Sequence, residues 1–311
     1  MSTSTCFSSL PPPSFTKTKP SPMCSMSKDP VREWILSEGK ASNITKISSV
    51  GGGCINFANR YDTDVGSFFV KSNRSIGPSM FEAEALGLGA MYETGTIRVP
   101  KPYKVGPLPT GGSFIIMEFV EFGGSRGDQS VLGRKLAEMH KSGKSSKGYG
   151  FEVENTIGST PQINTWSSDW VRFYGEHRLG YQLQLALDRY SDRTIFEKGQ
   201  RLVKNMAPLF ENVAIEPCLL HGDLWSGNVS SDKNGEPVIL DPACYCKSSM
   251  LFAKLPPTFL MTNLYQGIRL ITFSEVSPPN RIFFYPRGLN LRPCLRKKTN
   301  QLLCCLFSLI L

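Results

Sequence analysis

The chain has 311 residues, of which 40% are hydrophobic and 20% charged, and this length is enough for two domains or lobes around a sizeable core. The net charge of +9 comes from the two ends, because residues 29–246 carry 23 basic and 25 acidic side chains. Neither basic end has the interleaved aromatic residues of a nucleic-acid site, and no apolar run reaches the roughly 18 residues of a membrane span. We therefore expect no nucleic-acid partner and no membrane span.

Residues 1–28 have the composition of a targeting segment. They contain eight Ser, four Thr, five Pro and three Lys, with no Asp or Glu. Organelle transit peptides share this composition, so we expect one here, and the disordered N-terminus of a cytoplasmic protein is the alternative. Asp29 and Pro30 then provide the N-cap and first residue of a helix that is expected to end at Gly39.

A glycine-rich turn lies between two strand-like runs, 43–50 and 55–61. Glycine lets the backbone approach a phosphate closely, so this hairpin is a candidate phosphate-binding loop, although a merely flexible hairpin has the same pattern. The residues expected at the phosphates are Gly51, Gly52, Gly53 and Asn56.

Cys54 stands in this turn, and the nine cysteines of the chain show no spacing typical of a secreted disulfide framework. A thiol near a lysine and free backbone N–H groups would have a lowered pKa and would oxidise readily. Oxidation would deform the turn and block phosphate binding, so Cys54 is a candidate redox switch and could link two copies of an otherwise monomeric chain. A small residue tolerated in a tight turn is the alternative.

A short β-rich run, 67–71, ends in Lys71. This residue is either an exposed lysine at a strand end or the ammonium group that contacts the α- and β-phosphates of a nucleotide. The helix that follows opens at Ser79, and Ser79 and Glu82 have the spacing of a capping box. Because the capping box would occupy Glu82, we expect Glu84 to form the ion pair with Lys71.

Residues 114–120 form an apolar run that predicts the last strand of a small lobe, leading into a hinge. Backbone groups of Glu118 and Val120 could then pair with adenine. The residues expected at the nucleotide base are Met117, Glu118, Phe119 and Val120.

The most specific signal is His-Gly-Asp-Leu-Trp-Ser-Gly-Asn at 221–228, followed by Asp241 after an apolar strand. A surface turn is the alternative, but this ordered spacing matches the catalytic loop of kinases. Asp223 is expected to accept the proton of an attacking hydroxyl, and Asn228 and Asp241 to hold the Mg²⁺ ions that bridge the ATP phosphates. We expect His221 to orient the loop rather than to transfer a proton.

The remaining pattern predicts a mainly helical large lobe. Apolar residues recur with helical period in three segments, and a small hairpin carries Asn228 and Asp241 at its two ends. The helices are expected at 128–140, 168–190 and 194–210, and the hairpin strands at 228–231 and 237–240. We therefore predict an α+β, protein-kinase-like, two-lobed fold, with a small lobe at 29–120 and a large lobe at 121–246.

The chain also resembles the fructosamine kinases, or ketosamine-3-kinases, over roughly residues 29 to 245, and it is most similar to the chloroplast members from plants. Five motifs carry the resemblance, of which the loop with tryptophan is the most specific. They lie at 51–58, 80–84, 99–102, 116–119 and 220–228.

The resemblance implies ATP-dependent phosphorylation of the O3′ hydroxyl of ribulosamine or fructosamine adducts on protein lysines, which leads to deglycation. It gives Asp223 the role of base, Asn228 and Asp241 that of Mg²⁺ ligands, and Lys71 that of phosphate contact. Trp225 would form a wall of the sugar pocket, and a buried loop anchor is the alternative for this residue.

After Tyr245 the sequence departs from the family pattern. Residues 247–311 carry nine Lys and Arg against one Glu and show no amphipathic period. We expect a disordered or aberrant tail, such as translated non-coding sequence, rather than a membrane-surface anchor. Two further functions therefore stay open beside ketosamine phosphorylation. One is a kinase for another alcohol, such as an aminoglycoside or choline, and the other is a catalytically impaired ATP-binding isoform.

Overall fold

A computed structural model describes residues 29–51, 56–124, 127–211 and 215–248. The expected transit peptide (1–28), the loop residues Gly52, Gly53 and Cys54, and the tail from residue 249 onward lie outside these ranges. Within the described ranges, no helix combines the length and the apolar character needed to cross a bilayer.

The small lobe is a five-stranded antiparallel sheet with the strand order β1-β2-β3-β5-β4, accompanied by two helices. The strands are β1 (Ile44–Ser49), β2 (Phe57–Thr63), β3 (Gly66–Asn73), β4 (Pro102–Pro107) and β5 (Ser113–Glu118). The helices are α1 (Pro30–Leu36) and α2 (Ser79–Glu93). Asp29 caps α1 by accepting a 3.0 Å hydrogen bond from the N–H of Val31, as the sequence predicted.

The two faces of this sheet belong to separate cores. Val70 and Ile116 pack with α1, whereas Phe69 and Met117 pack with α2 and the large lobe. Because side chains two residues apart on a strand share a face, Lys71 points to the same side as Phe69. The alternation of β3 therefore sends its lysine into the space between the lobes.

Helix α2 begins differently from the expectation. Its N-cap is Pro78, whose backbone is already helical (φ −66°, ψ −21°), and no side chain caps this end. Ser79 is consequently the first helical residue rather than the cap, and the capping box with Glu82 does not form. That prediction was wrong because the proline fixes φ in the helical range one residue before the serine.

The large lobe contains the expected helices, with two changes. Residues 170–190 include a π-helical segment, and α6 ends at Lys204 rather than near residue 210, where a short 3₁₀ turn containing Pro208 replaces the α-helix. The helices are α3 (Gln129–Ser142), α4 (Trp170–Tyr174), α5 (Tyr181–Tyr190) and α6 (Arg193–Lys204). The π-helical segment is Gly175–Gly180, and the 3₁₀ turn is Ala207–Phe210.

Three small antiparallel pairs complete the large lobe. They consist of β6 (Asn155–Ile157) with β7 (Thr160–Gln162), β8 (Pro217–Leu220) with β11 (Tyr245–Ser248), and β9 (Val229–Ser231) with β10 (Pro237–Ile239). The two-lobed α+β architecture expected from the sequence is thereby confirmed.

The hairpin β9–β10 is held between the two lobes. On one side the N–H of Ile239 donates to the carbonyl of Arg98 at 3.1 Å, and on the other the N–H of Gly123 donates to the carbonyl of Ser231 at 2.8 Å. Both contacts are backbone hydrogen bonds, so they fix the hairpin against the loop before β4 and against the hinge. Asn228 and Asp241, at the two ends of the hairpin, are therefore held in fixed positions.

Strand β11 crosses the boundary at 246/247 that the sequence suggested between the large lobe and the tail. Lys247 is paired with Cys218 of β8 and is only 3% exposed. The ammonium of Lys247 lies 5.6 Å from the ring centre of Trp170 and 5.9 Å from that of Tyr174. No carboxylate in the described ranges forms an ion pair with it.

Lys247→Met is therefore expected to raise the free energy of unfolding by about 1–3 kcal/mol. The reason is that burying an ammonium without an ion pair costs more free energy than its cation–π contacts with the two rings supply. Urea unfolding of the full chain and the variant measures the change. Lys233→Met is the control, since Lys233 lies in an exposed ion pair with Glu121 and its loss should change stability by less than about 1 kcal/mol. A Lys247→Met variant no more stable than wild type would contradict the expectation.

Candidate active site

Lys71 is the centre of a buried ion-pair group between the lobes. Its ammonium donates to a carboxylate oxygen of Glu84 at 2.7 Å and to Oδ1 of Asp241. The lysine is only 9% exposed, so it is not an exposed residue at a strand end. Glu84, and not Glu82, is thus the partner that α2 supplies, and Asp241 comes from the end of the hairpin.

Burial alone would lower the pKa of Lys71, but the negative charges of Glu84 and Asp241 raise it well above its usual value. The ammonium therefore stays charged throughout the physiological range. A fixed cation with three donors at this point suits an anionic ligand entering the cleft.

His221 is 2% exposed and holds the loop that follows β8. Its Nε2 lies 2.8 Å from the carbonyl oxygen of Leu240, and its Nδ1 accepts a 3.3 Å hydrogen bond from the N–H of Asp223. One neutral tautomer, protonated on Nε2, satisfies both contacts. Burial lowers the pKa of His221 to about 4, so the ring remains in this neutral state at neutral pH.

Gly222 was not singled out from the sequence, yet the loop requires it. Its φ is +81°, and a Cβ at this position would lie 1.9 Å from the carbonyl oxygen of Ala243. The N–H of Ala243 in turn donates to the carbonyl of His221 at 2.9 Å. The only sequence signal for this contact was a glycine between two residues already expected to be functional.

Asn228 connects the two aspartates of the site. Its Nδ2 donates to the backbone oxygen of Asp223 at 2.9 Å, to Oδ2 of Asp223 at 3.3 Å and to the backbone oxygen of Asp241 at 3.4 Å. Its Oδ1 has no hydrogen-bond donor in the described part of the chain. Asp241 has a left-handed backbone (φ +54°) and a half-exposed carboxylate. An amide oxygen beside a carboxylate is a donor set that fits Mg²⁺.

Trp225 is 50% exposed, so it does not serve as a buried anchor of the loop. The N–H of Asn228 donates a 2.9 Å hydrogen bond to the carbonyl of Trp225 and closes a turn. A half-exposed aromatic side chain, that of Trp225, therefore lies between Asp223 and Asn228 in the loop.

The hinge offers fewer groups to a nucleotide base than the sequence suggested. The N–H of Glu118 donates to the carbonyl of Lys101 at 2.8 Å, and the carboxylate of Glu118 binds Arg98 in a bidentate ion pair. The ring of Phe119 lies 4.3 Å from the guanidinium of Arg60, and Met117 is buried in the core. The N–H groups of Phe119 and Val120 have no acceptor among the described residues, so these two hinge donors remain for a ligand.

Asn56 is also engaged differently from the expectation of a phosphate contact. Its Oδ1 accepts a 2.9 Å hydrogen bond from Nδ2 of Asn73, whose own Oδ1 accepts from the N–H of Ser75. The side chain thus ties the start of β2 to the turn before α2. At Gly51 an added Cβ would meet no atom within 4 Å, so this end of the glycine-rich turn faces open space.

The family model for fructosamine kinase matches residues 26–268, which is most of the chain. The chain belongs to the fructosamine kinase family. This match includes residues 247–268, which the sequence pattern had assigned to an atypical tail.

Similar proteins with known names support this family membership. It is 72% identical over 248 residues to the chloroplastic protein-ribulosamine 3-kinase of Arabidopsis thaliana, covering 78% of this chain and 76% of the relative. The identity to the corresponding protein of Oryza sativa subsp. indica is 72% over 223 residues, covering 72% of this chain and 65% of the relative. The mouse ketosamine-3-kinase is 36% identical over 228 residues, covering 66% of this chain and 74% of the relative.

A solved structure shows the same fold. The crystal structure of a protein proposed to be a fructosamine-3-kinase from Haemophilus somnus 129PT superposes with a TM-score of 0.61 at 26% identity. The superposition covers 80% of this chain and 83% of the other. The two-lobed architecture is thus that of the fructosamine kinase family.

Acid is expected to destabilise this fructosamine kinase family member through His221, which is buried, and His140, which is half-buried. Burial lowers the pKa of both His221 and His140 to about 4, the charge of Lys247 adding to the effect at His140. Below a pH of about 6.5 both histidines bind a proton in the unfolded chain but not in the folded chain. The free energy of unfolding therefore decreases as the pH is lowered to about 4. Between pH 7.5 and 5 each histidine should cost about 2 kcal/mol.

Urea unfolding at the two pH values measures this loss. His140→Gln should remove about half of the histidine contribution, since it leaves the contacts of His221 intact. An unfolding free energy that is equal at pH 7.5 and 5 would contradict the expectation.

Proposed function

We propose that the chain is an ATP-dependent kinase that phosphorylates the O3′ hydroxyl of ketosamines, the ribulosamine and fructosamine adducts on protein lysines. The observation that carries the proposal is the convergence of Lys71, Glu84, Asp223, Asn228 and Asp241 in one cleft of a fructosamine kinase family member. The names of the relatives from Arabidopsis and mouse supply the acceptor class.

In the proposed reaction Asp223 is the base. Its backbone is held by Nδ1 of His221, and one carboxylate oxygen receives a hydrogen bond from Asn228. The carboxylate of Asp223 would accept the proton of the O3′ hydroxyl as that oxygen attacks the terminal phosphate of ATP and ADP leaves. A neutral His221 keeps this geometry without competing for the proton.

Asn228 and Asp241 would hold Mg²⁺, which supplies positive charge to the phosphates when it is bound. The Nδ2 of Asn228 is used within the loop, so Oδ1 would be the ligand atom, and Asp241 would add its half-exposed carboxylate. This carboxylate already contacts Lys71, which brings the expected metal ligand and the expected phosphate contact together.

Lys71 would bind the α- and β-phosphates. In the ligand-free chain its ammonium is shared between Glu84 and Asp241. Arrival of phosphate oxygens would draw the ammonium away from Asp241, while Glu84 retains it. That exchange would leave the carboxylate of Asp241 to bind Mg²⁺.

The base of ATP would lie against the hinge, with the N–H of Val120 as the donor to adenine. Gly51, Gly52 and Gly53 of the glycine-rich turn would contact the phosphates. Trp225 would form one wall of the sugar pocket, because its exposed aromatic face can pack on the apolar C–H face of a ketose.

We further propose that the protein acts on glycated proteins and small ketosamines in the chloroplast. The relatives from Arabidopsis and rice are named as chloroplastic, and residues 1–28 have a transit-peptide composition. Cys54 stays a candidate redox switch, with a monomer or a redox-dependent dimer as the two states.

The deciding experiment tests whether the full chain phosphorylates ribulose-lysine with ATP and Mg²⁺ in the presence of dithiothreitol. ADP release measures turnover, and mass spectrometry identifies the phosphorylated product. Choline and an aminoglycoside serve as competing acceptors. Phosphorylation of ribulose-lysine supports the proposal. Turnover of choline or the aminoglycoside instead would assign another alcohol kinase, and nucleotide binding without turnover would assign an impaired isoform.

A further inference from the structure

The catalytic loop contains a second glycine, Gly227, whose role differs from that of Gly222. A Cβ built on Gly227 would lie 2.3 Å from Cη2, 2.4 Å from Cζ2 and 2.7 Å from Cζ3 of Trp225. The six-membered ring of the indole therefore occupies the space that a side chain at Gly227 would take. The two residues belong to one turn, closed by the hydrogen bond from the N–H of Asn228 to the carbonyl of Trp225.

The backbone of Gly227 does not itself require glycine. Unlike Gly222, it has no positive φ, so an L-residue can adopt its conformation without strain. The three nearest atoms to the added Cβ all belong to the side chain of Trp225. The absence of a side chain at Gly227 therefore leaves the room that the indole of Trp225 occupies.

We infer that Gly227 is a positioning residue for acceptor specificity, because it sets where the Trp225 indole stands beside Asp223. The inference rests on the proposed ketosamine kinase activity, in which Trp225 forms a wall of the sugar pocket. A methyl group at Gly227 would push the ring by more than about 1 Å to restore a normal contact of ~3.5 Å. The wall would then no longer meet a ketose held with its hydroxyl at the base.

Gly227→Ala provides the test, since it moves the indole without touching a reacting group. The KM for ribulose-lysine is expected to rise about tenfold, while the KM for ATP stays within about twofold and the melting temperature is unchanged. Gly133→Ala is the matched control. Gly133 lies in α3, where an added Cβ would meet no atom within 4 Å, and its substitution should leave both KM values unchanged.

A double-mutant cycle separates the indole from any other effect. In a Trp225→Ala background the ring is gone, so adding Gly227→Ala should change the KM for ribulose-lysine by less than about twofold. Two results would overturn the inference: an unchanged acceptor KM in Gly227→Ala, or an equal loss in both backgrounds. If the wild-type chain does not phosphorylate ribulose-lysine at all, the proposed function itself fails, which is a different outcome from either of these.

Discussion

Asp223→Asn is expected to lower kcat by about 10²–10⁴-fold, because an amide cannot accept the proton of the attacking hydroxyl. The substitution preserves the shape of the side chain, and an amide oxygen can still accept the hydrogen bond from Asn228. The affinity for ATP with Mg²⁺ should therefore stay within a few-fold. Ribulose-lysine-dependent ADP release measures kcat, and isothermal titration with a non-hydrolysable ATP analogue measures binding.

Asp188→Asn is the control for this experiment. Asp188 lies on the exposed face of α5, where it accepts a hydrogen bond from Gln184, and its substitution should leave kcat unchanged. A kcat for Asp223→Asn within tenfold of wild type would show that Asp223 is not the base. A loss of nucleotide affinity as large as the loss of kcat would show instead that the substitution disturbs the metal and phosphate contacts.

Local patterns in the sequence predicted most elements that position the site. The run before Lys71, the helix carrying Glu84 and the hairpin between Asn228 and Asp241 all depend on residues close together in the chain. Strand alternation, helical period and turn residues determine such elements, and these are visible without a structure. The ion pair of Lys71 with Glu84 was also predicted, although the capping box that was the reason for choosing Glu84 over Glu82 does not form.

Contacts between distant segments could not be read in this way. The buried amide of Asn155 donates to the carbonyl of Cys244 at 2.8 Å, and the guanidinium of Arg178 lies 4.1 Å from the ring centre of Tyr245. Both brace the segment after Asp241, yet their partners lie 89 and 67 positions away in the sequence. Only the tertiary fold brings them together, since neither side chain belongs to a motif.

The engagement of Asn56 and Glu118 has the same origin. Each residue stood in a motif that suggested nucleotide contact, but each has a protein partner, Asn73 in one case and Arg98 with Lys101 in the other. A motif identifies which segment reaches the ligand. It does not say which of its polar groups the protein itself uses to hold that segment in place.

Gly222→Ala is expected to have the largest effect on folding, and Gly235 provides a matched comparison. The φ of Gly222 is +81° and that of Gly235 is +84°, so alanine would suffer nearly the same backbone strain at both positions, about 1–3 kcal/mol. They differ in surroundings. The added Cβ would lie 1.9 Å from the carbonyl oxygen of Ala243 at Gly222, but would meet no atom within 4 Å at Gly235.

Backbone atoms cannot swing aside as a side chain can, so Gly222→Ala should lower the free energy of unfolding by at least about 2 kcal/mol more than Gly235→Ala. Urea unfolding of the two variants gives this difference directly. The clash can be relieved only by separating His221 from Ala243, which also moves Asp223 relative to Asp241. The folded fraction of Gly222→Ala should thus lose turnover, whereas Gly235→Ala should keep it. Equal stability and equal turnover in the two variants would mean that this backbone contact does not hold the base and the metal ligand together.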